Sequence, residues 1–322
     1  MAILDSTPFR PPMMHFNGHM QTILPAKLRK VEGVNYTPQR LELNDGDFLD
    51  LSWSKIGSDK LLIITHGLEG GSDRHYCHGL VKIFNEAGWD VLAWNYRSCS
   101  GTMNRLPRFY HSGDTGDIDR VVQHVVATYN YHNISLVGIS MGGSVTLNYL
   151  GNKKHDIPSS IQAGVAISTP IHLSSSCDKL ETFGSLIYNK NFMYDLNNKV
   201  RIKAKMLPGQ IDASLIEKHN IKRLREFDEY YTAPLHGFKD ANDYYEKASS
   251  LYQLENIKHP TLVINATNDP FLGTPSIPYD LLRNHKYVDL EAPNKGGHVG
   301  FCIAGEKETY TEKRSLTFLG KF

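Results

Sequence analysis

The chain has few of the features that mark special classes of protein. Its 322 residues include four cysteines (Cys77, Cys99, Cys177 and Cys302) and no Cys-x-x-Cys pair, so neither a disulfide framework nor a zinc ribbon is expected. There is no run of about eighteen apolar residues, so no transmembrane helix is expected. The opening MAILDSTPFRPPMM lacks a basic stretch followed by an apolar one, so no secretory signal is expected.

The chain also lacks a charge excess. Thirty-five basic residues face 34 acidic ones, for a formal charge of +1. No overall field attracts nucleic acid, although peripheral contact between a local patch and a membrane stays open. With 40% hydrophobic and 21% charged residues, the composition is that of an ordinary globular protein. We therefore expect a reduced, soluble, cytoplasmic protein without a nucleic-acid partner. The sequence does not indicate the oligomeric state.

Short apolar runs alternate with amphipathic helical patterns along most of the chain. A hairpin is predicted over 40–53, around the Asn-Asp-Gly-Asp turn at 44–47. Further strands are predicted at 61–64, 91–94, 134–137, 164–168, 261–266 and 287–290, with helices between them and a last helix at about 307–319. This pattern predicts one α/β domain over 1–322, with a mostly parallel sheet flanked by helices. The Pro- and His-rich stretch at about 1–36 is interpreted as an arm, and the polar insertion at about 170–250 as a helical lid.

A Gly-x-Ser-x-Gly motif at 138–142 is the strongest chemical signal. It follows the apolar run 135–137 and opens a helical pattern, which is the strand-turn-helix setting of a nucleophile elbow. A nucleophile in a strained turn needs neighbours without bulk, and Gly138 and Gly142 meet that requirement. Ser140 is therefore the candidate nucleophile.

A serine nucleophile needs a base, and the base needs an acid to orient it. Asp269 follows the predicted strand 261–266, while Asp178, Asp212 and Asp243 fall within the insertion. His298 follows the last predicted strand, in Gly-Gly-His-Val-Gly, whereas His259 and His285 precede strands. The order Ser140, Asp269, His298 matches a serine-hydrolase triad.

An oxyanion hole needs two backbone N–H groups. The residue after the nucleophile, Met141, is one candidate donor. The other is Leu68 in His-Gly-Leu-Glu-Gly at 66–70, which follows an early strand. This loop lacks the spacing of a nucleotide-binding loop, and no cofactor is expected.

Two other groups of residues have a less specific pattern. His75 and His78 share a helical spacing without a third ligand, so no metal site is expected. Basic residues at 199, 201, 203 and 205, with Arg223 and Arg225 nearby, are interpreted chiefly as a solvated face, with contact to anionic lipid or an acidic substrate as the alternative. Several apolar residues of the insertion either line an acyl pocket or form the core of the lid, the latter being favoured: Phe183, Leu186, Tyr188, Phe192, Met193 and Tyr194.

Beyond these motifs, the chain resembles the YheT-type branch of the alpha/beta-hydrolase superfamily, also called AB-hydrolase family 4, from about Phe9 to Phe318. The resemblance rests on several specific strings: FNGHMQT at 16–22, HGLEG at 66–70, NYRSCSG at 95–101, HSGDTGD at 111–117, REFD at 225–228 and TAPLHGF at 232–238. No role follows from the residues of the 111–117 string themselves.

The resemblance implies a cofactor-free hydrolase whose triad maps onto Ser140, Asp269 and His298. Bacterial members are mostly described as candidate esterases. Eukaryotic ones include medium-chain phospholipid lipases and enzymes that make or cleave medium-chain ethyl esters. Some relatives carry an N-terminal membrane anchor; none is expected in this chain, so membrane residence is not implied.

The resulting hypothesis is a serine esterase that cleaves short- to medium-chain acyl esters, small molecules, through an acyl-enzyme. An acyltransferase that passes the acyl group to an alcohol would use the same triad, and sequence does not separate the two. A non-catalytic binding scaffold is less favoured, because all three triad positions are filled.

Overall fold

The computed structural model describes residues 3–322, and its strands form one nine-stranded sheet. The strands are β1 (Ile3–Leu4), β2 (Thr37–Glu42), β3 (Phe48–Ser54), β4 (Lys60–Thr65), β5 (Asp90–Asn95), β6 (Asn133–Ile139), β7 (Ile161–Ile167), β8 (Thr261–Ile264) and β9 (Val288–Glu291). Their spatial order is β1-β9-β8-β7-β6-β4-β5-β3-β2. Only the β2–β3 and β3–β5 pairs are antiparallel.

The helices lie between the strands and at both ends of the chain. They are α1 (Gly18–Leu28), α2 (His75–Glu86), α3 (Thr115–Thr128), α4 (Met141–Gly151), α5 (Leu173–Leu180), α6 (Leu186–Met206), α7 (Leu215–Lys218), α8 (Leu224–Phe227), α9 (Ala233–Leu235), α10 (Ala241–Ala248), α11 (Tyr279–Leu282) and α12 (Tyr310–Leu319). No helix formed by residues 3–322 is both long and apolar enough to cross a membrane.

Burial explains why the central strands are continuous apolar runs. Strands β4, β6 and β7 have helices on both faces, and Leu61, Leu62, Ile63 and Ile64 are each fully buried. One large core cluster contains Leu61 and Ile63, and a second contains Leu62 and Ile64. Alternate side chains of one strand therefore serve two cores, as expected for a parallel sheet between two helical layers. The predicted fold class is confirmed.

The stretch between β7 and β8, residues 168–260, is a set of helices inserted at the carboxyl edge of the sheet. Its longest element, α6, spans 21 residues. A π-helical turn follows α8 over Asp228–Thr232. Since the carboxyl edge of a parallel sheet is where loops form sites, the insertion covers the region in which the candidate residues converge.

The N-terminal stretch contains regular structure that the sequence did not predict. Strand β1 pairs in parallel with β9 at the edge of the sheet, and Phe9 stacks on Tyr310 of α12 with ring centroids 4.7 Å apart. Helix α1 has Pro25 inside it and shows little separation of apolar from polar residues, so no helical pattern stands out in its sequence. The first two residues of the predicted arm lie outside the described residues.

Candidate active site

Ser140 stands in a strained turn between β6 and α4. Its φ is 55° and its ψ is −122°, a backbone conformation that residues other than glycine rarely adopt. A Cβ on Gly138 would lie 2.2 Å from the carbonyl oxygen of Gly142, and one on Gly142 would lie 2.1 Å from that of Thr65. Both glycines are therefore required sterically, as the motif predicted.

Asp269 and His298 meet Ser140 from two further loops. The His298 Nε2 atom is 2.8 Å from Ser140 Oγ, and Nδ1 is 2.9 Å from Asp269 Oδ2. The Asp269 carboxylate is buried and also accepts the Phe271 N–H at 2.8 Å. The Phe271 ring stacks on the imidazole with centroids 3.9 Å apart, which fixes the plane of the ring. Nδ1 therefore donates to the carboxylate, and Nε2 is left to accept the serine proton.

The two candidate oxyanion donors lie beside this serine. Leu68 and Met141 both line the same cavity as Ser140 and His298. Within residues 3–322, neither the Leu68 nor the Met141 amide donates a hydrogen bond to another protein group. Unpaired N–H groups next to a nucleophile are available for a developing negative charge.

His66 and Tyr76 hold the loop that carries Leu68. The His66 Nδ1–H donates to the carbonyl of Gly67 at 2.8 Å, and Nε2 accepts the N–H of Tyr96 at 3.2 Å. Burial lowers the pKa of His66 to about 3, so the ring stays neutral with one defined tautomer. The Tyr76 hydroxyl accepts the Gly67 N–H at 3.4 Å, and a Cβ on Gly70 would lie only 2.6 Å from that hydroxyl.

A cavity that opens to solvent adjoins Ser140 and His298; its volume is about 980 Å³ when the solvent space at its entrance is included. Most of its wall is apolar, and more than half of its lining residues belong to the insertion, among them Leu173, Leu180, Phe192, Leu196, Leu224 and Phe227. Of the six insertion residues singled out from the sequence, only Phe192 lines the cavity. Tyr188 and Met193 are buried in packing, whereas Phe183 and Tyr194 are 93% and 76% exposed.

The basic residues of α6 divide between two faces of the helix. Arg201 and Lys205 are exposed, whereas Lys199 and Lys203 point inward. Lys203 is fully buried and donates to the backbone carbonyls of Leu106 and Arg108. The expected solvated face is therefore correct for only part of this run, because residues four apart on a helix share a face whereas residues two apart do not.

Lys199 forms an ion pair with Glu69 that the sequence did not indicate. Its Nζ lies 2.9 Å from Oε1 and 2.8 Å from Oε2, and both residues line the cavity. Glu69 follows Leu68 directly and has a φ of 50°. Its N–H donates to the Tyr110 hydroxyl at 3.0 Å, and that hydroxyl donates to Oε1 at 2.5 Å. The pair joins the insertion to the loop of the candidate oxyanion donor.

The remaining motifs also find places. His75 and His78 begin α2, and no group of three potential metal ligands surrounds them or any other site in the described part of the chain. In the 111–117 string, His111 lines the cavity, and Asp117 forms a buried pair with Arg97 at 2.7 Å. That string therefore connects the cavity wall to a buried charge network.

Comparisons with known proteins identify the family of this chain. A family model described as the alpha/beta hydrolase fold matches residues 60–302. The chain belongs to the alpha/beta hydrolase family. This alpha/beta hydrolase is 36% identical over 297 residues to the candidate esterase YheT of Escherichia coli (strain K12), across 90% of this chain and 86% of that protein. The YheT-type resemblance is thus confirmed.

More distant relatives extend the comparison. The alpha/beta hydrolase is 30% identical over 272 residues to a monoacylglycerol lipase of Saccharomyces cerevisiae, across 83% of this chain and 58% of the lipase. A solved structure of an esterase from Pyrococcus furiosus superposes with a TM-score of 0.58 at 19% identity, across 89% of this chain and 91% of that one. The second match shows a shared fold.

Proposed function

We propose that this alpha/beta hydrolase is a serine esterase, with Ser140 as nucleophile, His298 as base and Asp269 as the acid that orients it. The observation that carries the proposal is the continuous hydrogen-bonded chain from Asp269 through His298 to Ser140, at 2.9 and 2.8 Å, beside an apolar cavity. Family membership and relatives that are named esterase and lipase support the hydrolysis of carboxylic esters.

The first half of the reaction forms an acyl-enzyme. His298 Nε2 takes the proton of Ser140 as Oγ attacks the ester carbonyl carbon. The carbonyl oxygen becomes negative and receives hydrogen bonds from the N–H groups of Leu68 and Met141. Asp269 stabilises the imidazolium that forms. His298 then gives the proton to the departing alcohol oxygen as the ester C–O bond breaks.

The second half releases the acid. A water molecule enters, loses a proton to His298 and attacks the acyl carbon, and Ser140 leaves with that proton. No cofactor takes part in either half. The chemistry therefore depends on the three side chains and two amides that face the cavity.

The inserted helices 168–260 would act as a lid and select the acyl group. Leu180, Phe192 and Leu196 present apolar side chains to the cavity, and burying each methylene of an acyl chain contributes about 0.8 kcal/mol. An acyl chain longer than the cavity cannot bury its remaining methylenes, so further length adds no binding energy. We therefore expect a preference for short- to medium-chain esters.

The test is hydrolysis of p-nitrophenyl esters from acetate to palmitate by wild type and by Ser140→Ala. We expect a rate maximum at an intermediate chain length, and a loss of about 10⁶-fold in Ser140→Ala. Ser112→Ala is a matched control, because Ser112 is a buried serine that lines the same cavity. It should retain wild-type turnover.

Two further results bear on the proposal. Turnover by Ser140→Ala comparable to wild type would refute Ser140 as nucleophile. Covalent labelling of wild type but not Ser140→Ala by a fluorophosphonate would support it. Product analysis with an added alcohol separates ester hydrolysis from acyl transfer, since transfer would yield the new ester in place of free acid.

A further inference from the structure

Helix α1 lies against both loops that carry the candidate acid and base. We infer that Gln21 and Thr22 are positioning residues that hold the Asp269 loop and the His298 loop in fixed positions relative to each other. The inference rests on the proposed function for the roles of Asp269 and His298. It concerns residues that lie before the segment matched by the family model, residues 60–302.

Gln21 joins the two loops through one amide oxygen. Its Oε1 accepts the N–H of Gly296 at 2.7 Å and an Nδ2–H of Asn268 at 2.9 Å. Its Nε2 donates to the carbonyl of His15 at 2.8 Å, which fixes which end of the amide faces the loops. Gln21 is 3% exposed, so water does not compete for these bonds.

Asn268 completes the connection. Its Oδ1 accepts the N–H of Gly297 at 3.0 Å. Asn268 directly precedes Asp269, and Gly297 directly precedes His298. Gln21 and Asn268 therefore connect the residue before the acid to the two residues before the base, although the two loops are far apart in the sequence.

Thr22 contacts the base residue itself. Its Oγ1 accepts the N–H of His298 at 2.8 Å, while its hydroxyl donates to the carbonyl of Gly18 at 2.7 Å. Both hydrogen-bonding directions of the hydroxyl are therefore set. The next amide, Val299 N–H, donates to Ser168 Oγ at 2.9 Å, so the backbone is held on both sides of the imidazole.

The glycines of the base loop allow this approach. A Cβ on Gly300 would lie 1.8 Å from the carbonyl oxygen of Gln21, and one on Gly297 would lie 2.7 Å from that of Gly18. Gly18 is equally constrained, since its Cβ would lie 2.0 Å from the carbonyl oxygen of Asn268. Helix and loops thus touch backbone to backbone, which side chains would prevent.

The base loop also needs external support. Val299 and Phe301 have φ values of 61° and 47°, which are costly for residues with bulky side chains. Such conformations cost about 1–3 kcal/mol each and persist only where the surroundings impose them. The contacts from α1 are one source of that constraint. Weakening them should allow the imidazole to move relative to Ser140 and Asp269.

The experiment compares Gln21→Met and Thr22→Val with wild type, by kcat and KM on the best p-nitrophenyl ester. Both substitutions keep side-chain size and remove the hydrogen bonds. A misplacement of about 1 Å costs about 10²-fold in rate, so we expect kcat to fall 10- to 100-fold at nearly unchanged KM. Thr22→Ser keeps the hydroxyl and should restore kcat to within threefold of wild type.

Arg29→Met is the matched control for loosening of the arm. Arg29 follows α1 and binds both carboxylate oxygens of Glu312, at 2.7 and 2.8 Å, without touching either loop. We expect a lower melting temperature with kcat within twofold of wild type. Equal kcat losses in Arg29→Met and Thr22→Val would overturn the inference, because a purely structural role of the arm would then suffice.

Failure of the inference is distinguishable from failure of the proposed function. An inactive Ser140→Ala together with wild-type kcat in Gln21→Met and Thr22→Val would refute the positioning role alone. An active Ser140→Ala would refute the triad first. Complete fluorophosphonate labelling of Gln21→Met and Thr22→Val at long times would show that reduced kcat does not reflect an unfolded fraction. If Gln21→Met fails to fold, the Thr22→Val and Thr22→Ser pair decides the question.

Discussion

Replacing Lys199 with methionine should destabilise the protein by leaving a buried carboxylate without its partner. Lys199 extends from α6 to Glu69, and the two side chains are 16% and 5% exposed. After the substitution, the Glu69 side chain would retain only the 2.5 Å hydrogen bond from the Tyr110 hydroxyl. The charge would then be poorly compensated in a wall that excludes most water.

The magnitude follows from that burial. Removing one partner of a buried pair costs about 3–5 kcal/mol, and the partial exposure of Lys199 favours the lower end, about 3 kcal/mol. Replacing both partners, as Glu69→Gln with Lys199→Met, removes the stranded charge and should cost only about 1 kcal/mol. In a chain of this size, 3 kcal/mol corresponds to a fall in melting temperature of roughly 4 °C.

The assay is urea and thermal unfolding of wild type, both single variants and the double variant at neutral pH. Arg201→Met is the matched control, because Arg201 lies on the same helix in an exposed pair with Glu217 and should leave the melting temperature unchanged. Lys199→Met as stable as wild type, or a double variant as unstable as the sum of the singles, would refute the reasoning.

Two other predictions concern a glycine pair and a buried acid. Gly142→Ala should cost more than about 3 kcal/mol, because its Cβ would lie 2.1 Å from the carbonyl oxygen of Thr65. Gly116→Ala should instead stabilise the protein by about 0.5–1 kcal/mol, since its Cβ would meet nothing closer than 3.6 Å. Thermal melting of the two variants checks this contrast, and similar melting temperatures would contradict it. Burial raises the pKa of Asp228 from 3.8 to about 6, so the folded state holds its proton where the unfolded state releases it. The contribution of this group to the free energy of unfolding therefore falls by roughly 3 kcal/mol as the pH rises from about 4 to 6. Unfolding curves of Asp228→Asn across this pH range should lack that fall. An equal fall in the variant would contradict the assignment.

Signals carried by a few neighbouring residues were legible in the sequence. The alternation of apolar runs and helical patterns predicted the parallel sheet, because burial on both faces leaves a local imprint on each strand. The elbow around Ser140 was equally legible, since its motif occupies five consecutive residues, although the contact that requires Gly142 comes from Thr65 on a neighbouring strand. Asp269 and His298 were inferred from strand order, and the structure brings both to Ser140.

Helix α1 illustrates where local signals stop. Gln21 and Thr22 belong to the FNGHMQT string at 16–22, but no local pattern gives them a role, because what distinguishes them is contact with loops more than 240 residues away. The Gly-Gly-His-Val-Gly motif at 296–300 marks His298 by its place after the last strand but does not indicate what its glycines contact. In the structure Gly297 and Gly300 provide room for the backbone of α1.

The sequence by itself therefore determined the fold class and the chemical identity of the candidate triad, because strand burial and the elbow each leave a pattern within a short stretch of chain. Only the tertiary structure decided which residues surround the triad. Lys199 faces Glu69 in the cavity wall while Arg201 faces solvent; helical spacing places the two residues on different faces of α6 but does not indicate which face meets Glu69. The difference arises from the position of the inserted helix over the carboxyl edge of the sheet, which is set by packing between distant segments.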